Sequence, residues 1–213
     1  MNLEQLDPKK IIDVSAPIFP GMVLYPGSHE VVFNSSRYQD TTSTTITFDS
    51  HTGTHFDAPA HAFENGRGVD TVSLSSCIGV CRVLDLTSVE EKIMVADLEP
   101  FNIISGERLL FKTQNSVDTW ETFNESFIYI DGDAADYLAE KQVALVGVDY
   151  LSVKKFHGPD IRPHNSLLSK EIVIIEGLIL KNVVPKKYDL IALPLKLKNL
   201  DGSPSRVILI DNY

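Results

Sequence analysis

Short apolar stretches separated by turn residues dominate the first quarter of the chain, with no helical periodicity. Residues 11–14 read as a strand, 17–22 as a loop and 31–33 as a second strand, with the Pro-Gly pair of Tyr25-Pro-Gly-Ser28 marking a turn. Residues 41–48 are rich in β-branched side chains, which lose rotamer freedom in a helix and suit a pleated surface, so they predict a strand. Residues 78–86 are apolar enough for a buried strand. Ser88-Val-Glu-Glu91 has the form of a capping box and predicts a helix through Leu98 that Pro100 closes. Short strands follow at 108–112 and 127–130, either side of a polar loop with the single tryptophan, Trp120.

Asp133 reads as the cap of a helix over 134–141, and 143–148 is the continuous apolar run of a strand buried on both faces. Strand, helix and strand in that order predict a βαβ unit, with Asp149 at the carboxyl end of its last strand. Such ends favour sites, although a cap or turn carboxylate is the plainer role for Asp149. Residues 152–165 read as a long loop carrying His157 and His164. Strands are predicted at 172–180 (open to interruption), 189–195 and 206–210, the last two joined as a hairpin by a turn at Asp201-Gly-Ser-Pro204. There is no internal repeat and no linker. The pattern predicts one α/β domain over residues 1–213, with mixed β-sheets and few flanking helices.

Composition narrows the partners. A length of 213 residues is enough for a core without staples, and 43% hydrophobic with 23% charged residues argues against disorder. The formal net charge of −10, with no Lys/Arg cluster, excludes nucleic acid and anionic membrane as main partners. The first eight residues have neither a basic nor an apolar signal segment, and no apolar run approaches the ~20 residues of a spanning helix. A soluble, cytoplasmic protein is expected. Cys77 and Cys81 have no further thiolates nearby and share strand parity, so they read as buried thiols rather than metal ligands.

The candidate chemistry lies in His51-Thr-Gly-Thr-His55-Phe-Asp57-Ala-Pro59-Ala-His61, which holds three of the six histidines. His51, His55, Asp57 and His61 are separated by even steps, which on an extended strand puts them on one face. Gly53 permits a close backbone approach, and Pro59 excludes a central ladder position. Imidazoles and a carboxylate converging there predict a metal site. The helical pair of zinc peptidases needs Glu after its first His, where Thr52 stands, and a structural zinc site prefers thiolates. Chance clustering of surface histidines is the bland alternative. Glu176 lies among aliphatic residues, where a carboxylate must be paired, protonated or bound to a cation unless it faces water from an edge strand.

The stretch resembles the His-x-Gly-Thr-His-x-Asp-x-Pro-x-His signature of the cyclase family, which includes bacterial kynurenine formamidases and isatin hydrolases. All fixed positions are present, and the likeness continues through Gly147-Val-Asp149 and Ser152, His164 with Leu167 and Leu168, Glu176-Gly177, 190–194 and Asp201-Gly-Ser-Pro204. The resemblance implies the swivelling β/β/α fold of that family. It implies that His51, His55 and Asp57 hold a first divalent ion, that Asp57 and Glu176 bridge to a second completed by His164, and that His61 is the acid/base. The implied cofactor is two zinc ions per subunit, with manganese as the alternative. The implied activity is hydrolysis of a carbon–nitrogen bond in a small aryl amide, arylformamidase first, with a cyclic amide or lactone hydrolase as alternative. A relative that binds metal or ligand without catalysis is the rival from another class, and His61 argues against it, since a binding site needs no proton carrier. The family also implies a homo-oligomer, dimer or tetramer. Tyr25 falls where kynurenine formamidases have a substrate-contacting Trp, and Ser28 replaces their Asp, so the formamidase substrate is where the pattern departs. His29 and His157 match no ligand position and are expected to be ordinary surface or loop histidines.

Overall fold

The structure, a computed structural model, describes residues 7–116 and 120–213. Most of the N-terminal stretch read for a signal, and part of the polar loop before Trp120, lie outside these residues. In chain order the elements are β1 (Ile11–Asp13), β2 (Val32–Tyr38), β3 (Thr41–Thr47), β4 (His55–Asp57), α1 (Pro59–Ala62), α2 (Leu74–Cys77) and β5 (Ile78–Asp85). Then come β6 (Lys92–Ile93), α3 (Val95–Leu98), β7 (Arg108–Lys112), β8 (Tyr129–Ile130), α4 (Gly132–Glu140) and β9 (Leu145–Val148). The remainder is α5 (Arg162–Leu168), β10 (Val173–Glu176), β11 (Lys187–Pro194) and β12 (Gly202–Ile210).

Eight strands form one mixed sheet in the order β1-β12-β11-β5-β7-β9-β10-β4. β4 also pairs with β12, so the sheet closes into a barrel-like core. The run β5, β7, β9, β10 is parallel, and the remaining pairings are antiparallel. β9, β10 and the middle of β7 are buried on both faces, as their apolar runs require, while the start of β5 leaves Ile78 and Val80 exposed. Leu109, Phe111, Val146, Val148 and Ile174 pack outward against Ala134, Ala135 and Leu138 of α4 and Leu167 and Leu168 of α5. Leu110, Leu145 and Ile175 point the other way, into the barrel, with Phe56, Cys81, Leu190 and Leu209. This α/β architecture with few helices matches the expected fold class.

Several local expectations give way to tertiary pairing. No helix starts at Ser88. Lys92–Ile93 pairs instead with Tyr129–Ile130, and the helix is the single turn of α3, opened by the Asp97 carboxylate accepting from the Met94 N–H at 2.7 Å. Burying Ile93 in the core and pairing Lys92 with Asp131 at 2.5 Å outweighs the weak propensity of a short polar helix. β8 belongs to this small sheet, so the expected βαβ unit is not formed within one sheet; the parallel partners of β9 are β7 and β10. Asp131, not Asp133, caps α4, accepting from the Asp133 N–H at 3.2 Å. The predicted loop at 152–165 ends in α5, whose Pro163 sits at its start, where a missing N–H costs nothing. Asp201-Gly-Ser-Pro204 is not the hairpin turn: Gly202–Pro204 already pair with β4.

β4 is the strand on which the candidate ligands meet. Phe56 points into the barrel core, while His55 and Asp57 face the other way. Glu176 stands directly across from His55, and Gly202 across from Asp57. The strand ends are locked by Thr54, whose hydroxyl donates to the Gly177 carbonyl at 2.5 Å and accepts from the Ala16 N–H at 2.7 Å. Gly177 has φ +74° and lies so close to Gly53 that a Cβ there would fall 2.2 Å from the Gly53 oxygen. Only glycine satisfies both demands.

Candidate metal centre

Direct cross-strand pairing places the Glu176 carboxylate on the face of β4 that carries His55 and Asp57. His51 enters from the turn before β4, His61 from α1, and His164 from the first turn of α5. The expectation of four groups along one strand face is therefore corrected. Only His55 and Asp57 share a strand, because Gly53 turns the chain with φ +65° and Pro59 starts a helix.

The ligand-type atoms converge in two groups that share Asp57. His51 Nδ1 is 2.8 Å and His55 Nε2 3.6 Å from Asp57 Oδ1. His164 Nε2 is 3.5 Å from Asp57 Oδ2. Glu176 spans the same two groups, with Oε2 3.3 Å from His55 Nε2 and Oε1 3.3 Å from His164 Nε2. His51, His55 and Asp57 offer three atoms within 4.8 Å of one another, as do Asp57, His61 and His164.

Hydrogen bonding supports a cation here. His55 Nδ1–H donates to the Gly53 carbonyl at 2.9 Å, which leaves its Nε2 lone pair facing the carboxylates. His55 Nε2 and both Asp57 oxygens are buried without an aligned hydrogen-bond partner. Orphaned acceptors in a buried cluster are costly unless something positive sits among them. A donor set of imidazole nitrogen and carboxylate oxygen fits a divalent transition metal. Glu176 Oε1 also accepts from the Val153 N–H at 2.7 Å, which fixes the carboxylate's orientation.

The charges agree. Burial would raise the Asp57 pKa, but His51, His61 and His55 around it hold it well below the usual carboxylate range. Glu176 is also lowered: burial and Asp57 oppose its charge, and His164 and His55 more than compensate. Burial lowers the His61 pKa, and the neighbouring His51 and His164 add to that. His61 keeps part of its surface open to solvent although neighbouring groups crowd its ring, which lies 4.2 Å from that of His51 and 5.1 Å from that of His164.

An aromatic wall stands beside this cluster. Tyr25 meets Phe123 and Phe156 edge-on, with ring centroids at 5.4 and 5.6 Å. Phe127 and Tyr150 stack at 4.7 Å behind them. Burial and the Glu176 charge both push the Tyr25 hydroxyl pKa up. Of these rings only Tyr25 was marked by the sequence; the others lie on irregular segments whose only signal is their aromatic density. Asp201 was expected only as a turn residue, although its Oδ2 is 2.9 Å from His51 Nε2.

The remaining candidates fall elsewhere. Asp149 is buried and accepts from the Thr113 N–H, the Thr113 hydroxyl and the Ser116 hydroxyl at 2.7, 2.8 and 2.5 Å, a loop-holding role. His29 pairs with Asp49 on the surface, and the His157 ring packs against Phe156 at a tilt of 43°, with centroids 3.9 Å apart. Cys77 and Cys81 are free, buried thiols, pushed by burial to about 11 and about 12. Among the described residues no helix is long and apolar enough to cross a membrane.

Known proteins bear on this geometry. A kynurenine formamidase from Salinibacter ruber is 35% identical over 206 residues, covering 94% of this chain and 97% of its own. A solved structure described as a potential metal-dependent hydrolase with cyclase activity is 39% identical with a TM-score of 0.87, covering 96% of this chain and 98% of that one. Isatin hydrolase A from Ralstonia solanacearum shares the fold, with a TM-score of 0.78 at 22% identity over 93% of this chain and 90% of its own. The family profile described as putative cyclase matches residues 12–155, and the chain belongs to that family.

Proposed function

We propose that the protein is a metal-dependent arylformamidase that hydrolyses N-formylkynurenine to kynurenine and formate. The observation that carries this reading is the buried set of His55 Nε2 and both Asp57 oxygens, orphaned together between Glu176, His51 and His164, with the His61 ring 4.2 Å from that of His51. The curated relatives named kynurenine formamidase support the choice of substrate.

In this reading the domain spans residues 1–213. His51, His55 and Asp57 would hold one divalent ion, and Asp57, Glu176 and His164 would hold a second. Zinc is the preferred ion and manganese the alternative, two per subunit. When bound, such ions polarise a carbonyl and lower the pKa of a water toward about 7. Tyr25 and the neighbouring rings take the aryl face of the substrate edge-on or offset, which directs its formamide toward the carboxylates. His61, neutral by its lowered pKa, receives the proton released as water adds to the formyl carbon. It then delivers that proton to the aniline nitrogen as the C–N bond breaks, so formic acid and a neutral amine leave, and the acid ionises to formate in solution. Two free cysteines suit a reducing, cytoplasmic setting. A homo-oligomer, dimer or tetramer, is supported by the β2–β3 hairpin, which pairs with no other described strand and exposes Phe33 and Ile46.

A substrate panel tests the activity. Turnover should be highest on N-formylkynurenine, lower on formanilide and lowest on isatin. Isatin ring opening as the dominant activity would move the assignment to the cyclic amide hydrolases.

A further inference from the structure

We infer that Asp201 is a positioning residue for the metal centre: through His51 Nε2 it fixes the tautomer and ring orientation with which His51 presents Nδ1. The inference rests on the metal-site reading and extends it to residues outside the ligand set.

His51 sits between two carboxylates on opposite nitrogens. Its Nδ1 faces Asp57 Oδ1 at 2.8 Å, and its Nε2 faces Asp201 Oδ2 at 2.9 Å. A ring nitrogen that donates to a carboxylate cannot also ligate an ion, so the Asp201 contact leaves Nδ1 as the ligating atom. Asp201 is itself held. Its Oδ1 accepts from the Ser50 hydroxyl at 3.0 Å, and its backbone carbonyl accepts from the Ala58 N–H at 2.8 Å. The residue after it, Gly202, lies across β4 from Asp57. A Cβ on Gly202 would fall 2.7 Å from His51 Cε1 and 3.1 Å from Nδ1, so the imidazole rests against bare backbone. Asp201 grips the far edge of the ring, Gly202 supports its flank, and the strand pairing of Gly202 with Asp57 ties both to the ligand carboxylate. His51 comes from a turn, not from β4, and needs this support to reach the same point as His55 and Asp57.

Asp201, His51 and His61 also place ligand-type atoms within 4.8 Å of one another, so Asp201 must be distinguished from a ligand. The test titrates metal-free wild type, Asp201→Ala, Asp201→Asn and His51→Ala with zinc against a competing chelator. The zinc-loaded proteins are then compared by histidine ring nitrogen NMR. Wild type should show His51 protonated at Nε2 alone. Asp201→Ala should bind the same number of zinc ions with about 10- to 100-fold weaker affinity. It should also lose the single His51 tautomer, while circular dichroism of the metal-free form stays unchanged. Asp201→Asn keeps an oxygen that can accept from Nε2–H and should fall between Asp201→Ala and wild type, which keeps the test open if the alanine variant folds poorly. Wild-type affinity and tautomer in both variants would overturn the inference and leave the metal site standing. Loss of one whole zinc equivalent at saturation in Asp201→Ala, as in His51→Ala, would make Asp201 a ligand and overturn it too. Failure of wild type itself to bind zinc, manganese or another divalent ion would bring down the metal-site reading, and this inference with it.

Discussion

Each Asp57 oxygen faces a different imidazole, Oδ1 toward His51 at 2.8 Å and Oδ2 toward His164 at 3.5 Å, and neither has an aligned donor. In the proposed reading His51, His55, Asp57, His164 and Glu176 hold the cations, and His61 stands beside them as the acid/base. The His61→Ala variant is therefore expected to keep its metal content on elemental analysis while turnover falls about 10²- to 10⁴-fold, the usual worth of a positioned acid/base. Near wild-type turnover would remove His61 from its role. The metal-free protein should also show a specific pH signature. Burial opposes charge on His51, but Asp57 and Asp201 on its two nitrogens raise its pKa from 6.5 to about 9. A histidine raised in the folded state contributes stability that is complete below 6.5 and lost as pH rises through about 9. In chelator the melting temperature should thus decline across that window, and His51→Ala should flatten the decline. With zinc present the slope should reverse, since protons compete with the ion for the same nitrogen.

At the scale of elements, the closing of β4 against β10 depends on two glycines. Gly177→Ala puts a Cβ 2.2 Å from the Gly53 oxygen at φ +74°, and should cost about 1–3 kcal/mol or more of stability. In calorimetry this reads as a loss of several degrees, with weaker zinc binding because Glu176 is the preceding residue; an unchanged melting temperature would show that the strand ends are not tightly locked. The elements that sequence pattern captured are those whose burial and periodicity agree, such as β5, β7, β9 and the apolar part of β10. Those it missed were settled by partners distant in sequence. Ser88 carried a plausible cap, yet Ile93 was drawn into the core beside Ile130. The helix carrying His164 was hidden because its first turn, Arg162-Pro-His164, has a polar, loop-like composition. The even spacing from His51 to His61 suggested convergence for a reason that does not hold, since a turn and a helix bring in the outer two.

For the whole molecule, the barrel-like closure is what assembles the site. β4 is bracketed by β10 and β12, which come from the last quarter of the chain, so Glu176 and Gly202 meet residues more than a hundred positions earlier. No local pattern encodes that pairing; in the sequence Glu176 stood out as a carboxylate among aliphatic residues, and His164 was legible only through the resemblance to a known family. The second carboxylate on His51 went unread because Asp201 looked like a turn residue. The central claim is that hydrolysis depends on ions held by this assembled cluster. The most direct measurement is stepwise zinc titration of the metal-free protein while N-formylkynurenine hydrolysis is followed. The account predicts no turnover before the first addition and a rate that rises to a plateau at two zinc ions per subunit. Full turnover in the metal-free protein would contradict it.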